Sequence, residues 1–189
     1  AGYENYEDRW EISGGLDAGY EFVKNTKLVA GYRYGYQDQG NLVLSPTQRV
    51  VTSPYDNNYH RALFGFEGSP WKWLRLNFLA GPDFRQFGAG VPAGFDSNEV
   101  LVYAAGSVGF VPSKRDTVTF AFKRYEQPAF GGPSMYEDTT YDLSWRHLIG
   151  TQWSLVAGFR AYAGIWQAPV RREDWIYTPS VRLTYAFKE

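Results

Sequence analysis

The chain has 189 residues, a formal net charge of −1 and no cysteine. A nearly balanced charge gives no reason to expect a nucleic-acid-binding surface, and the lack of thiols excludes disulfides and thiolate metal sites. Aromatic residues make up 19% of the chain and 20 glycines accompany them, a mixture that is typical of β-sheet. No apolar run approaches the ~20 residues that a membrane-spanning helix needs. The length fits a single all-β domain.

Apolar and polar residues alternate from one end of the chain to the other. A period of two residues is the period of a β-strand, so each strand presents one apolar and one polar face. We predict an antiparallel β-barrel over residues 9–187, with residues 1–8 forming an outer loop or N-terminal tail. The nine predicted strands are Arg9–Val23, Lys27–Gln37, Tyr59–Gly68, Lys72–Gln86, Asn98–Val111, Asp116–Glu126, Thr139–Leu148, Gln152–Ile165 and Asp174–Phe187.

The connections between these strands alternate in length. The tight turns are Lys24–Thr26, Ser69–Trp71, Pro112–Arg115 and Ile149–Thr151, and longer loops lie between them. Short turns at one rim and longer loops at the other are typical of an up-and-down meander. Bacterial outer-membrane barrels place the short turns in the periplasm.

The two faces of the predicted sheet differ in chemistry. A soluble barrel would enclose the apolar face, whereas a transmembrane barrel turns it toward lipid. The interior of a small soluble barrel has too little room for this many Trp, Tyr and Phe side chains, so we favour the transmembrane arrangement. Predicted lipid-facing residues include Phe64, Phe78, Phe120, Leu155 and Leu183. The predicted charge network in the lumen comprises Asp17, Arg33, Glu67, Arg75, Asp83, Arg85, Lys123, Asp142, Arg146, Arg160 and Arg182.

Hairpin register predicts three ion pairs within this network. Counting outward from each tight turn sets Asp17 opposite Arg33, Glu67 opposite Arg75, and Asp142 opposite Arg160. Opposite charges across an antiparallel pair stabilise a sheet.

The last strand, Ser180–Phe187, carries aromatic residues at Tyr185 and Phe187 and a polar residue at Ser180. This segment resembles the C-terminal signature by which Gram-negative outer-membrane barrels are delivered to their assembly machinery. It differs in having Arg182 at a usual glycine position and two residues after Phe187. The whole pattern is similar to small barrels of the OmpA and OmpX type. The resemblance implies that Tyr185 and Phe187 form the assembly signal and that the protein resides in the bacterial outer membrane.

The sequence offers little catalytic chemistry. Its two histidines, His60 and His147, lie near strand ends and are expected to be structural. We find no nucleophile elbow and no metal-ligand spacing, so we predict no enzyme activity, no metal and no cofactor. Arg171 and Arg172, close to Trp166 and Trp175, are a candidate contact for lipopolysaccharide phosphates, although a solvated loop pair is the simpler interpretation.

We therefore expect a non-enzymatic barrel with a lumen largely filled by side chains, acting in structure, anchoring or surface interaction. A narrow substrate channel or porin and a soluble lipocalin-like barrel are the alternatives. The expected partners are outer-membrane lipids, with lipopolysaccharide as a candidate, and not nucleic acid. Nine strands place the first and last strands in the same direction. We therefore expect a strand from upstream sequence or another polypeptide to lie against Arg9–Val23.

Overall fold

A computed structural model describes residues 10–38, 41–44, 49–52, 55–88, 91, 96–128, 135–166 and 172–187. The strands are β1 (Trp10–Val23), β2 (Thr26–Asp38), β3 (Asn41–Leu44), β4 (Arg49–Thr52), β5 (Asn57–Trp71), β6 (Leu74–Phe87), β7 (Asn98–Phe110), β8 (Asp116–Pro128), β9 (Met135–Ile149), β10 (Trp153–Trp166) and β11 (Glu173–Tyr185). The predicted residue 1–8 tail and the predicted strand start at Arg9 lie outside the described residues.

Nine of these strands form one antiparallel sheet in the order β1-β2-β5-β6-β7-β8-β9-β10-β11. Neighbours in this sheet follow each other along the chain except at β2 and β5, where the β3–β4 hairpin intervenes. The predicted all-β class and the up-and-down order are therefore confirmed. None of the described residues forms a helix long and apolar enough to cross a membrane.

The structure corrects two local predictions. The segment predicted as the long loop after β2 contains the hairpin of β3 and β4, two strands of four residues each that the sequence pattern did not reveal. The tight turn predicted at Ser69–Trp71 lies instead at Lys72 and Trp73, because β5 continues through Trp71. A register irregularity between Gly68 and Trp71 accommodates the additional residues of β5.

The tight turns use residues that tolerate a left-handed backbone. Lys24 and Asn25 connect β1 to β2, and Asn25 has a φ of 61°. Gly150 begins the connection between β9 and β10 with a φ of 66°. Asparagine and glycine adopt this conformation more readily than other residues, which explains why the chain reverses at these positions.

The strand register shows on which face of the sheet each predicted lipid-facing or lumen residue lies. Paired residues in a sheet share a face, and Phe64 pairs with Ala80, Phe78 with Gly106, and Leu155 with Leu183. We call this side the apolar face; Phe120 also lies on it. The opposite side, the polar face, carries all eleven residues of the predicted charge network: Asp17, Arg33, Glu67, Arg75, Asp83, Arg85, Lys123, Asp142, Arg146, Arg160 and Arg182.

The sheet is not closed. Among the described residues β1 pairs only with β2 and β11 only with β10, so the two edge strands do not meet. Nine antiparallel strands place β1 and β11 in the same direction, so they could close on each other only as a parallel pair. The closed barrel predicted from the pattern is thus not formed by the described residues.

Candidate functional site

A buried charge cluster lies on the polar face toward the end of the sheet that carries the long loops. Asp83 on β6 accepts hydrogen bonds on Oδ2 from Arg61 Nη2 at 2.6 Å and from Arg85 Nη2 at 3.1 Å. Asp83 is 1% exposed and Arg85 is 3% exposed. Burial of ionised groups is tolerated only when they are paired and hydrogen-bonded, so these three side chains depend on one another.

Two amides extend the cluster toward the edge of the sheet. Arg85 Nη1 donates to Gln37 Oε1 at 2.8 Å, and Asn57 Nδ2 donates to the same oxygen at 3.2 Å. Gln37 Nε2 in turn donates to Glu11 Oε2 at 3.1 Å. The bonds therefore run without interruption from β6 through β5 and β2 to β1. Side chains from four strands are held in one arrangement.

Aromatic rings surround the cluster. The Tyr59 hydroxyl donates to Glu11 Oε1, which joins β5 to β1 across β2. The Arg61 guanidinium lies 4.2 Å from the ring centroid of Tyr103 and 5.0 Å from that of Tyr59. Such cation–π contacts gain strength when the cation is withdrawn from water. We call Glu11, Gln37, Asn57, Tyr59, Arg61, Asp83, Arg85 and Tyr103 the buried cluster. Five of its members are buried, Arg61 and Tyr103 are half-buried, and Glu11 on the edge strand is exposed.

The Asp17–Arg33 pair depends on two glycines. Arg33 Nη1 and Nη2 each bond one carboxylate oxygen of Asp17 at 2.7 Å. The register sets Asp17 opposite Gly31 and Arg33 opposite Gly15, so the direct opposition predicted from the turn is wrong and the contact is diagonal. A Cβ on Gly31 would lie 2.3 Å from Asp17 Oδ1, and one on Gly15 would lie 2.4 Å from Arg33 Cδ. The two glycines make the room for this bidentate pair.

The other two predicted pairs have opposite outcomes. Asp142 and Arg160 are directly opposite in the β9–β10 register and bond at 2.7 Å, which confirms that prediction. The Glu67–Arg75 pair is wrong: Glu67 lies opposite Asn77 and forms its ion pair with Lys27. The turn lies later in the chain than predicted, and together with the one-residue irregularity after Gly68 this moves the register two residues from the predicted one, which changes the partner and preserves the face.

The remaining predicted charges are not part of the buried cluster. Arg75 and Arg182 are exposed, opposite Gly109 and Val156 respectively. Arg146 is also exposed, and the Lys123 ammonium lies 4.8 Å from the ring centroid of Tyr125. The single network predicted from the sequence is therefore divided into the buried cluster, separate ion pairs and exposed charges.

Sequence reasoning missed the uncharged half of the buried cluster, namely Gln37, Asn57, Tyr59 and Tyr103, as well as Glu11 and the pairing of Arg61. The alternation of β5 could have revealed part of this set, because Asn57, Tyr59 and Arg61 occupy every second position and therefore lie on the same face. Tyrosine is as compatible with an apolar face as with a polar one, so its identity did not reveal its role.

The two histidines have hydrogen-bonded structural positions. His60 Nδ1 lies 2.5 Å from the Tyr32 hydroxyl, and His147 Nδ1 lies 2.7 Å from Asp116 Oδ1. Ser113 Oγ bonds the other oxygen of Asp116 at 2.6 Å, so the serine is bonded to the carboxylate instead of the imidazole. A nucleophilic serine needs the imidazole as its proton acceptor, which this order does not provide. The described residues contain no group of three or more His, Cys, Asp or Glu side chains placed to hold a metal ion.

Aromatic side chains gather at both rims of the sheet. At the turn rim Trp71 stacks on Trp73 at 5.3 Å and Trp153 lies 4.7 Å from Tyr185. Phe187, the other residue of the predicted assembly signal, contacts Tyr185 edge-on at 4.8 Å, just beyond the end of β11. At the loop rim the aromatic pairs include Trp10–Tyr36, Tyr34–His60, Tyr136–Trp166 and Trp175–Tyr177.

The proposed lipopolysaccharide contact is only partly described. Arg172 Nε bonds Asp174 Oδ1 at 2.9 Å, so its charge is already paired within the chain. Arg171 lies outside the described residues. No protein-family model, curated protein or solved structure matches this chain.

Proposed function

We propose that this chain is a non-enzymatic β-barrel of the bacterial outer membrane, with a lumen largely filled by side chains and a structural, anchoring or surface-interaction role. The observation that carries the proposal is the inversion of burial between the two faces. Phe64 on the apolar face is 63% exposed, whereas Asp83 and Arg85 on the polar face are almost fully enclosed. A sheet that exposes aromatic side chains on one face and buries an ion-paired charge cluster on the other suits an apolar surrounding medium.

The distance between the two aromatic rims supports the proposed membrane environment. Trp175 and Tyr185 lie ten positions apart on β11, and Trp10 and Tyr20 lie ten positions apart on β1. At ~3.3 Å per residue this separation is about 33 Å along a strand. A strand tilt of about 40° reduces it to about 25 Å across the sheet, which is the height of the apolar band between the aromatic girdles of outer-membrane barrels.

The buried cluster supports a filled lumen. Its side chains span from β1 to β7 and include two guanidinium groups, two carboxylates and two tyrosine rings. A barrel of about eight to ten strands has an interior that side chains alone can fill. We therefore favour a structural or interaction role over a substrate channel.

Site-directed spin labels test the membrane location. Labels at Phe64, Phe78, Phe120, Leu155 and Leu183 in lipid vesicles should show high oxygen accessibility, and labels at Asp17, Arg75, Asp142 and Arg160 should not. The reverse pattern would mean that the apolar face is enclosed, as in a lipocalin-like barrel, and would refute the proposal.

Planar-bilayer recordings distinguish the filled lumen from a channel. We expect the protein to produce no regular conductance steps in a bilayer into which labelled protein is shown to insert. Reproducible single-channel steps would instead favour the narrow-channel alternative.

A further inference from the structure

Three of the four tight turns of the nine-stranded sheet carry exposed basic side chains. Lys24 lies in the β1–β2 turn, Lys72 in the β5–β6 turn, and Lys114 and Arg115 in the β7–β8 turn. The turns, residues 24–25, 72–73, 111–115 and 150–152, are all described and contain no acidic residue. Within the described part of the chain, no carboxylate pairs with the side chains of Lys72, Lys114 or Arg115.

The β5–β6 and β7–β8 turns are neighbours on the turn rim. Because β6 pairs with β7, the Val111 amide reaches the Trp73 carbonyl and donates a hydrogen bond at 2.8 Å. Lys72 therefore lies beside the turn that holds Lys114 and Arg115. We call these three basic residues the basic turn cluster.

Asp116, which begins β8 next to this cluster, is already bonded within the chain. Its carboxylate accepts hydrogen bonds from Ser113 Oγ at 2.6 Å and from Trp145 Nε1 at 3.1 Å, and it lies 2.7 Å from His147 Nδ1. None of these partners belongs to the basic turn cluster. The three cations of the cluster thus outnumber the one neighbouring carboxylate, and their side chains are available to an external anion.

A cleft opens on the apolar face of the same strands. The register places Gly106 between Phe78 and Phe122, so a residue without a side chain interrupts the row of rings across β6, β7 and β8. The cleft has a volume of about 280 Å³. Its lining includes Leu76, Phe78, Gly106, Val108, Phe120 and Phe122.

The cleft lies at the depth of an acyl chain whose headgroup is at the turns. Gly106 is four residues before Phe110, the last residue of β7. At ~3.3 Å per residue and a strand tilt of about 40°, the floor of the cleft is about 10 Å from the turn rim. Trp73 lies between the two levels and contacts Phe110 edge-on at 5.7 Å. Tryptophan favours this position between headgroups and hydrocarbon.

We propose that β6, β7 and β8 with their turns bind one anionic phospholipid, whose phosphate is held by Lys72, Lys114 and Arg115 and whose acyl chain occupies the cleft over Gly106. This proposal rests on the proposed membrane location and names the lipid that the apolar face selects. Lysine and arginine near a membrane surface attract anionic headgroups, and they bond phosphate oxygens strongly. The cleft adds contact with a hydrocarbon chain, which a free phosphate lacks.

Native mass spectrometry of the full chain from detergent micelles tests the charge requirement. Phosphatidylglycerol should bind with a dissociation constant at least ~10-fold lower than that of phosphatidylcholine with the same acyl chains. The triple variant Lys72→Gln, Lys114→Gln and Arg115→Gln should reduce this preference to less than ~3-fold. Equal affinity of the unsubstituted chain for the two lipids would overturn the proposal.

A second triple variant is the matched control. Lys24→Gln, Arg146→Gln and Arg182→Gln remove the same charge from exposed positions outside the basic turn cluster. This variant should keep the preference for phosphatidylglycerol. A loss as large as that of the first triple variant would mean that net charge alone attracts the lipid, and would refute the site.

Val108→Trp tests the cleft separately. Val108 is exposed and lines the cleft, so the larger side chain should fill it and weaken the binding of both phospholipids by at least ~3-fold. Val102→Trp is the control, because Val102 is an exposed residue of the same strand and face outside the cleft. Glycerol 3-phosphate in ~100-fold molar excess should not displace phosphatidylglycerol. Unchanged binding to Val108→Trp, or displacement by glycerol 3-phosphate, would contradict an acyl-chain site.

The spin label at Phe64, which lies outside the cleft, keeps the two proposals separate. If this label reports lipid and phosphatidylglycerol is not preferred, the phospholipid site fails and the membrane location stands. If phosphatidylglycerol is preferred through both the basic turn cluster and the cleft, and the label does not report lipid, the membrane location fails and the phospholipid site is supported.

Discussion

Arg160 on β10 and Asp142 on β9 are directly opposite in register, and the guanidinium Nε bonds the carboxylate at 2.7 Å. The pair lies on the polar face outside the buried cluster. If this face lines a confined lumen, removing one partner leaves an uncompensated charge, which costs more than removing both partners.

The first prediction is a double-mutant cycle on this pair. Arg160→Ala should lower the urea midpoint of unfolding more than Arg160→Ala combined with Asp142→Ala. Tryptophan fluorescence of protein in lipid vesicles would measure the midpoint. Additive effects of the two substitutions would show that the pair behaves as a solvated surface contact.

The second prediction concerns the buried cluster. Asp83→Ala leaves Arg61 and Arg85 without their shared carboxylate, and breaking a buried ion pair in this way costs about 3–5 kcal/mol of unfolding free energy. Arg75→Ala is the matched control, because Arg75 lies on the same strand and face but is exposed. Its effect should stay within about 0.5 kcal/mol. Equal losses in the two variants, measured by urea unfolding, would argue against a mutually dependent cluster.

The third prediction concerns the glycine opposite Asp17. Gly31→Ala places a methyl group where Asp17 Oδ1 lies, so it should displace the carboxylate and weaken the bond to Arg33. Its destabilisation should shrink in an Asp17→Ala background, because the obstructed pair is then already absent. Gly14→Ala is the control, since a Cβ there meets no atom within 4 Å. Thermal unfolding would compare these variants, and an equal loss for Gly31→Ala in both backgrounds would contradict the explanation.

The sequence predicted which face of the sheet a side chain occupies much better than it predicted which side chains bond to each other. The reason is physical. The face depends only on a period of two residues, so Phe64 and Asp83 lie on opposite faces of the sheet, as the alternation predicts, even though a turn was misplaced. Partnership depends on the register, and the misplaced turn after Gly68 gave Glu67 the wrong partner. Asp142 and Arg160 were paired correctly because the turn between β9 and β10 lies close to the predicted turn at Ile149–Thr151.

The buried cluster was less accessible to sequence reasoning than the ion pairs. Glu11 and Tyr59 meet across an intervening strand, so no count from a single hairpin turn brings them together. Contacts of this kind follow from the curvature of the sheet and the size of the side chains. The two-residue alternation of the sequence gives neither the curvature of the sheet nor how far a side chain reaches.

The last prediction tests which medium surrounds the apolar face. Leu143 lies near the middle of β9 on this face and is 49% exposed. In water, arginine at a half-exposed position would change stability by no more than about 0.5 kcal/mol. In a bilayer, arginine at a lipid-facing midplane position costs about 2–4 kcal/mol.

We therefore expect Leu143→Arg to lower the unfolding free energy in lipid vesicles by about 2–4 kcal/mol. Ser144→Arg is the matched control, because Ser144 is the next residue of β9 and lies on the polar face opposite Gly158, which has no side chain. The control should lose less, since a polar lumen accepts a cation more readily than lipid does. A larger loss for Ser144→Arg than for Leu143→Arg would mean that the polar face is the one packed away from water. In that case the apolar face would be a solvent-exposed surface.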